Sequence, residues 1–172
     1  YPLGVAVYDE AGAGTITHVV VPSLYGDIWK LNADDGTSVL LDPLAPFDPI
    51  PLYRSSVDFR PIGATPAIFK EKGGSNRWIA VFGTGGYTAP GSSMIWSPTS
   101  TLQFAGLIDL AGTTTVDETG VIVDGNGDPI GSTLPSGERV YTQPTIAGNE
   151  FFLVSDSSNV NDVAYGLSGA NT

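Results

Sequence analysis

Thr65-Pro66-Ala67-Ile68, a turn, then Trp78–Gly83 (WIAVFG) returns later in the chain as Gln143-Pro144-Thr145-Ile146, a turn, then Phe151–Ser155 (FFLVS). Each unit is followed by a strand with Gly-Leu at its centre, Ala105-Gly106-Leu107 in one case and Tyr165-Gly166-Leu167 in the other. Upstream, Ile28–Gly36 (IWKLNADDG) reads as the closing strand and turn of an earlier unit. Strand repeats of this size in fixed order are the sequence form of propeller blades, since one four-stranded blade cannot bury both of its faces without neighbours. Roughly three such units are legible, against the about four to eight of a closed ring. The expectation is all-β: β-propeller-like blades of antiparallel four-stranded sheets, a single domain over residues 1–172 that does not close a ring unaided. Such a chain is either part of a larger propeller or pairs with other chains.

Outward from these units the pattern holds. Gly or Pro interrupts almost every window long enough for a helix. Short apolar or alternating runs recur instead: Thr17–Pro22, Asp27–Asn32, Ser38–Leu41, Thr65–Lys70, Arg77–Gly83, Leu102–Leu110, Gly120–Asp124, Arg139–Ala147, Glu150–Ser155 and Val163–Leu167. Turn chemistry separates them at Asp34-Asp35-Gly36, Lys72-Gly73-Gly74, Asp124–Asp128 and Gly148-Asn149.

The 172 residues, 41% hydrophobic and 15% charged, can bury a core and are not a disordered tail. Seven Lys and Arg against 18 Asp and Glu leave a net charge of −11. That surface repels phosphate backbones and anionic lipids, which argues against nucleic-acid and membrane-surface partners. No run reaches the roughly 20 apolar residues of a membrane helix. The absence of cysteine removes disulfides, iron–sulfur clusters and thiolate zinc. With 22 Gly, 13 Pro, many Ser and Thr and few Lys, the composition is of a kind common among secreted proteins. The first residue is Tyr1, so a leader has been removed or the chain is a piece of a longer one.

Thr17–Asn32 (THVVVPSLYGDIWKLN) resembles the "YVGDLYGNLWKFDL" stretch in the C-terminal propeller of the PilY family, large secreted proteins of type IV pili that act as tip adhesins and pilus-assembly factors. Pro61–Ala67 (PIGATPA) resembles that family's "PITAAPA", and Phe82–Tyr87 (FGTGGY) its "FGTGKY". Phe104–Asp109 sits where the family has "YGIYD". Gly137–Phe152 with Tyr165-Gly166-Leu167 resembles its terminal "GERVVSAPLV…VFFTT…LYALD" region. Five blocks in the family's order span most of the chain. Two departures stand out: the cysteine often present in the terminal region is missing, and the first Gly-Asp of "GDLYGN" is replaced. The resemblance implies the C-terminal part of a longer, non-enzymatic protein located extracellularly, at the cell surface or pilus tip. It further implies minor pilins or other pilus proteins, and host or abiotic surfaces, as partners.

The family's calcium loop, D-x-D-x-D-x-x-x-D, falls on Asp9–Thr17, where Asp9 alone keeps a carboxylate and Ala11 and Ala13 replace the next two ligands. Calcium takes six to eight oxygens, so this degenerate loop is expected to be a hairpin. Asp124, Asn126 and Asp128 have the D-x-N-x-D spacing that aims three oxygens at one ion, which makes them the best metal candidate in the chain, with calcium as the ion. The twelfth position of such a loop, where a bidentate Glu belongs, is Pro135, and Gly-Asn-Gly is also ordinary hairpin-tip chemistry.

For catalysis the residues offer little. His18 is the lone histidine, in an apolar strand, with no G-x-S-x-G serine to serve. The adjacent pairs Asp9/Glu10, Asp34/Asp35 and Asp117/Glu118 point to opposite faces in extended backbone and read as solvated turns. Gly83-Thr84-Gly85-Gly86 lacks the Lys-Ser/Thr and the helix of a phosphate loop and reads as a strand-end turn. Trp29, Trp78, Phe82, Phe151 and Phe152 are expected in the core. Trp96 and Met94 lie in the Pro/Ser-rich stretch Thr88–Ser100, expected to be a long loop suited to partner contact, and Phe47 lies in Leu44–Tyr53, a proline-stiffened covering or docking segment. Two other classes stay open. One is a quinoprotein-like propeller enzyme, whose repeat Trp29–Thr37 echoes. The other is an extracellular structural subunit that self-assembles through unpaired blade edges.

Overall fold

The computed structural model describes residues 4–57, 60–71, 76–88, 94–96, 102–122, 130–140, 142–147, 150–157 and 163–168. Sixteen strands lie among them, and no helix. Three antiparallel sheets follow one another along the chain as propeller-like blades.

Blade 1 comprises β1 (Ala6–Tyr8), β2 (His18–Pro22), β3 (Asp27–Asn32) and β6 (Tyr53–Arg54), in that spatial order. The hairpin of β4 (Leu41–Asp42) and β5 (Ala45–Pro49) branches off between β3 and β6. Blade 2 comprises β7 (Ala67–Lys70), β8 (Trp78–Gly83), β11 (Phe104–Asp109) and β12 (Gly131–Thr133), with the hairpin of β9 (Gly86–Thr88) and β10 (Met94–Trp96) between β8 and β11. Thr88–Ser100 is therefore not a plain loop, because its described residues 94–96 form a strand. In Blade 3, β15 (Glu150–Ser157) carries β16 (Val163–Ser168) on one edge. The other edge carries β13 (Glu138–Val140) and β14 (Thr145–Ala147) in succession. The expected single strand Arg139–Ala147 is thus two, and the register changes between Val140, opposite Ser155, and Thr145, opposite Phe152, a span that includes Pro144, which has no N–H to give the ladder. Ser38–Leu41 is likewise not a strand, since Ser38 makes one isolated bridge to Leu31 before β4 begins. In Gly120–Asp124 no strand occurs among the described residues.

The repeat seen in the sequence is this blade order. β7, β8, β11 and β14, β15, β16 occupy equivalent places, and β3 is the third strand of its blade as β11 is of the next. β7 lies beside β1 on one side and β14 on the other, so strands at equivalent places in the three blades stand next to one another.

Period-2 alternation then sorts the core into two layers. Ala80 and Phe82 of β8, with Phe104 and Ile108 of β11, face Tyr8, Val20 and Ile28 of Blade 1. Ile79, Val81, Ala105 and Leu107 face Val140, Phe151 and Leu153 of Blade 3. Blade 2 is buried on both faces, which is why WIAVFG is a continuous apolar run rather than an alternating one. Aromatic contacts seal the layers: Phe82 packs on Tyr53 at 4.7 Å between ring centroids and on Phe104 at 6.0 Å, and Phe69 packs on Phe151 at 4.7 Å.

Two aromatics expected inside are elsewhere. Trp29 is only half-buried and points away from the layer that holds its neighbour Ile28, and Phe152 is 38% exposed. Both lie on the outward faces of the end blades, where alternation places them but no third layer covers them.

Candidate functional site

Asp9 sits at the start of the β1–β2 connection. Its carboxylate accepts hydrogen bonds from the backbone N–H groups of Gly12 (2.8 Å), Gly14 and Thr15 (3.2 Å). Gly12 and Gly14 have positive φ, which turns their N–H groups toward the same oxygens. The loop is a hairpin organised around its own aspartate, as the missing second and third carboxylates suggested. Asp124, Asn126 and Asp128 lie outside the described residues. Among the described residues no group of three His, Asp or Glu comes together as metal ligands.

Beside this loop, Blade 1 meets Blade 2 in a polar cluster that sequence reading did not assemble. Lys30 is buried, donates to the Leu110 carbonyl at 2.9 Å and pairs with Glu10 at 3.4 Å. The Trp78 indole N–H donates to the Glu10 carbonyl at 3.3 Å. Tyr8 stacks on His18 at 5.3 Å and packs on Trp78 at 5.2 Å. Burial pushes the His18 imidazole down and Lys30 lowers it further, while Glu10, 3.3 Å away, pulls it back up. Burial, then Glu10 and Asp109, push the Tyr8 phenol far up. The Tyr8 phenol is therefore not poised for proton transfer near neutral pH.

The Tyr8 hydroxyl is buried with no hydrogen-bond partner among the described residues. Tyr8→Phe is therefore expected to raise stability by about 1 kcal/mol, read as a later urea midpoint, because it deletes an uncompensated polar group. A loss of similar size would show that the hydroxyl is engaged.

A second cluster surrounds Glu118. Its carboxylate accepts from the Tyr53 hydroxyl (3.1 Å), the Ser55 hydroxyl (2.8 Å), the Ser56 N–H (3.0 Å) and hydroxyl (2.6 Å), and Arg60. Asp117, by contrast, caps its own turn through Thr119. Only one of the pair is a solvated turn residue: Glu118 lies in the same turn, but its carboxylate is directed inward to Tyr53, Ser55, Ser56 and Arg60. Next to this cluster, Arg54, Ser55, Ser56, Thr115, Asp117 and Thr119 line an open groove of about 500 Å³. Arg54 is tethered to Asp27 at 2.9 Å through Nε. The groove offers one guanidinium and several hydroxyls, which is binding chemistry. Ser55 and Ser56 are not activated as nucleophiles: they donate to a carboxylate that, although burial pushes it up, is brought to about 2 by hydrogen bonds from Ser56 and Ser55, so it is too weak a base.

The partner-contact residues separate as well. Phe47 is 93% exposed and Leu44, at the tip of the same β4–β5 hairpin, 94%. The Asp42 carboxylate caps that tip by accepting from the Leu44 N–H at 2.8 Å. The Leu44–Tyr53 segment is divided: residues 44 and 46–49 are exposed on the hairpin, while Pro51, Leu52 and Tyr53 are buried and cover the core. Met94 and Trp96 lie in β10 by backbone, and their side chains are outside the described ones. Gly83-Thr84-Gly85-Gly86 is a junction. Val140 N–H of Blade 3 donates to the Thr84 carbonyl at 2.8 Å, and Gly85 N–H donates to the Pro61 carbonyl, before Blade 2, at 2.9 Å.

No family model matches the sequence, and no curated protein matches it. Among solved structures the chain is similar to the crystal structure of the C-terminal domain of PilY1 from Pseudomonas aeruginosa, with a TM-score of 0.63 and 15% sequence identity. The match covers 98% of this chain and 47% of that one, so the chain spans about half the length of the structure it resembles. The likeness is one of fold.

Proposed function

We propose that this chain is a non-enzymatic, extracellular component of a type IV pilus system, a propeller platform that binds minor pilins and supports adhesion or pilus assembly at the cell surface or pilus tip. The observation that carries the reading is the fold match over 98% of the chain, on the same residues whose five sequence blocks run in the PilY-family order. Two further features support it. Among the described residues the most exposed apolar side chains, Leu44 and Phe47, stand on a hairpin outside the blade sandwich, where truncation would cost little stability and a partner could bury both. The reactive groups in the described clusters are engaged in structural bonds.

Cross-linking mass spectrometry on filaments sheared from the source cells tests the proposal. Links from residues of this chain to pilins are expected, and Leu44→Ser with Phe47→Ser should deplete them without lowering the melting temperature. Filaments that carry no peptide of this chain would overturn it.

A further inference from the structure

The groove beside the Glu118 cluster lies between β6, the last strand of Blade 1, and the β11–β12 connection of Blade 2. Val116 joins the two by a parallel bridge to Tyr53: its N–H donates to the Leu52 carbonyl at 3.0 Å, and its carbonyl accepts from the Arg54 N–H at 2.9 Å. Tyr53 turns into the core, so alternation sends Arg54 to the groove side, where Asp117 follows Val116. The two opposite charges line one groove without pairing with each other. Arg54 is tethered to Asp27 through Nε, and its two terminal nitrogens stay open among the described residues. Asp117 accepts from the Thr119 N–H at 2.9 Å and hydroxyl at 2.6 Å, both on Oδ1, which keeps it ionised and leaves Oδ2 to the groove. The hydroxyls around them are committed elsewhere: Ser55 and Ser56 donate to Glu118, Thr115 to the Pro51 carbonyl and Thr119 to Asp117. A hydroxyl has one proton, so toward the groove these four show only lone pairs.

We propose that this groove binds a neutral saccharide: hydroxyls of a pyranose ring donate to Asp117 Oδ2 and to the Ser and Thr oxygens, while Arg54 donates to a ring or hydroxyl oxygen. A wall of acceptors facing a single two-nitrogen donor matches a ligand rich in O–H or N–H groups. The fixed charges then decide which. A cation drawn to Asp117 meets Arg54, and an anion drawn to Arg54 meets Asp117 and the −11 charge of the chain. A neutral polyol is repelled by neither and makes a charge-assisted hydrogen bond with each. The volume of about 500 Å³ lies within the range of small-molecule sites and has room for a sugar ring. No aromatic platform is among the lining residues, so binding rests on hydrogen bonds and selects by the stereochemistry of the hydroxyls. This site goes beyond the pilus reading above and does not depend on it.

Saturation-transfer NMR of this chain with the methyl pyranosides of glucose, mannose and galactose is the test, since it detects weak binding. Transfer to at least one of the three is expected. Arg54→Leu and Asp117→Asn should each weaken that binding about tenfold, the loss expected for one charge-assisted hydrogen bond. Circular dichroism identical to the unmodified chain shows that each variant is folded, and the transfer measured on the unmodified chain does not depend on the variants. Absence of transfer to all three sugars would overturn the site. So would transfer that survives both substitutions, or binding of glycylglycine, a zwitterion able to span the same two charges, in place of the sugars.

Discussion

Gly83→Ala is expected to lower the stability of the chain by about 3 kcal/mol or more, and Gly85→Ala by more still. A Cβ built on Gly83 would stand 2.5 Å from the Cβ of Val140 and 2.7 Å from both of its methyl groups. One on Gly85 would stand 2.5 Å from the Cβ of Arg139, at a φ of 131° that side chains rarely adopt. The two segments cannot move apart cheaply, since the Thr84–Val140 backbone hydrogen bond lies between the glycines and Val140 is fully buried. Overpacking of this kind costs about 1–3 kcal/mol where the surroundings relax, and more where they do not. Urea unfolding reads the loss as an earlier midpoint. Val140→Ala should not rescue Gly83→Ala, because the nearest atom is the Val140 Cβ itself, whereas Val140→Gly should recover part of the loss in a double-mutant cycle. A Gly83→Ala chain that unfolds at the wild-type midpoint would show that the blades do not meet here as described.

That junction illustrates what the sequence could and could not disclose. The blade repeat was legible because period-2 alternation and turn residues are local signals, and they place β2, β3, β7, β8, β11, β15 and β16 to within a few residues. FGTGG could be read as a turn, but not as the seam between Blade 2 and Blade 3, because its partner Val140 is remote along the chain. The Glu118 cluster was hidden for the same reason: its ligands lie around residues 53–60, and an Asp-Glu pair on a turn looks the same whether one carboxylate is solvated or buried. Trp29 and Phe152 were misplaced for a different cause. Alternation tells which side chains share a face, and only the stacking of blades tells whether that face has a neighbour. Asp9 was read correctly as a loop residue because the loss of neighbouring carboxylates is itself a local signal.

Glu118→Gln is the second large loss expected, about 3–5 kcal/mol at neutral pH. The guanidinium of Arg60 is 7% exposed and the carboxylate of Glu118 14%. Removing the negative member therefore strands a buried positive charge, and breaking such a pair costs far more than its net contribution when intact. The amide also has fewer acceptor sites for the four further hydrogen bonds that Tyr53, Ser55 and Ser56 donate. Acid should expose the same residue in the unmodified chain. Burial alone would raise its pKa, but the Ser56 and Ser55 hydrogen bonds bring it from 4.5 to about 2. Between those values the unfolded chain holds a proton on Glu118 that the folded chain does not, so folding is favoured by higher pH. The contribution is complete above about pH 4.5 and is lost as pH falls toward 2, a total of about 3 kcal/mol. Asp35 and Asp117, held low first by hydrogen bonds from Thr37 and Thr119, bend the curve the same way at the surface. The informative quantity is therefore the difference between the stability–pH curves of the wild type and Glu118→Gln. That difference should shrink steadily from pH 5 downward. If the two curves stay parallel through this range, the carboxylate is not ionised in the fold and the cluster around Arg60 is held by something other than its charge.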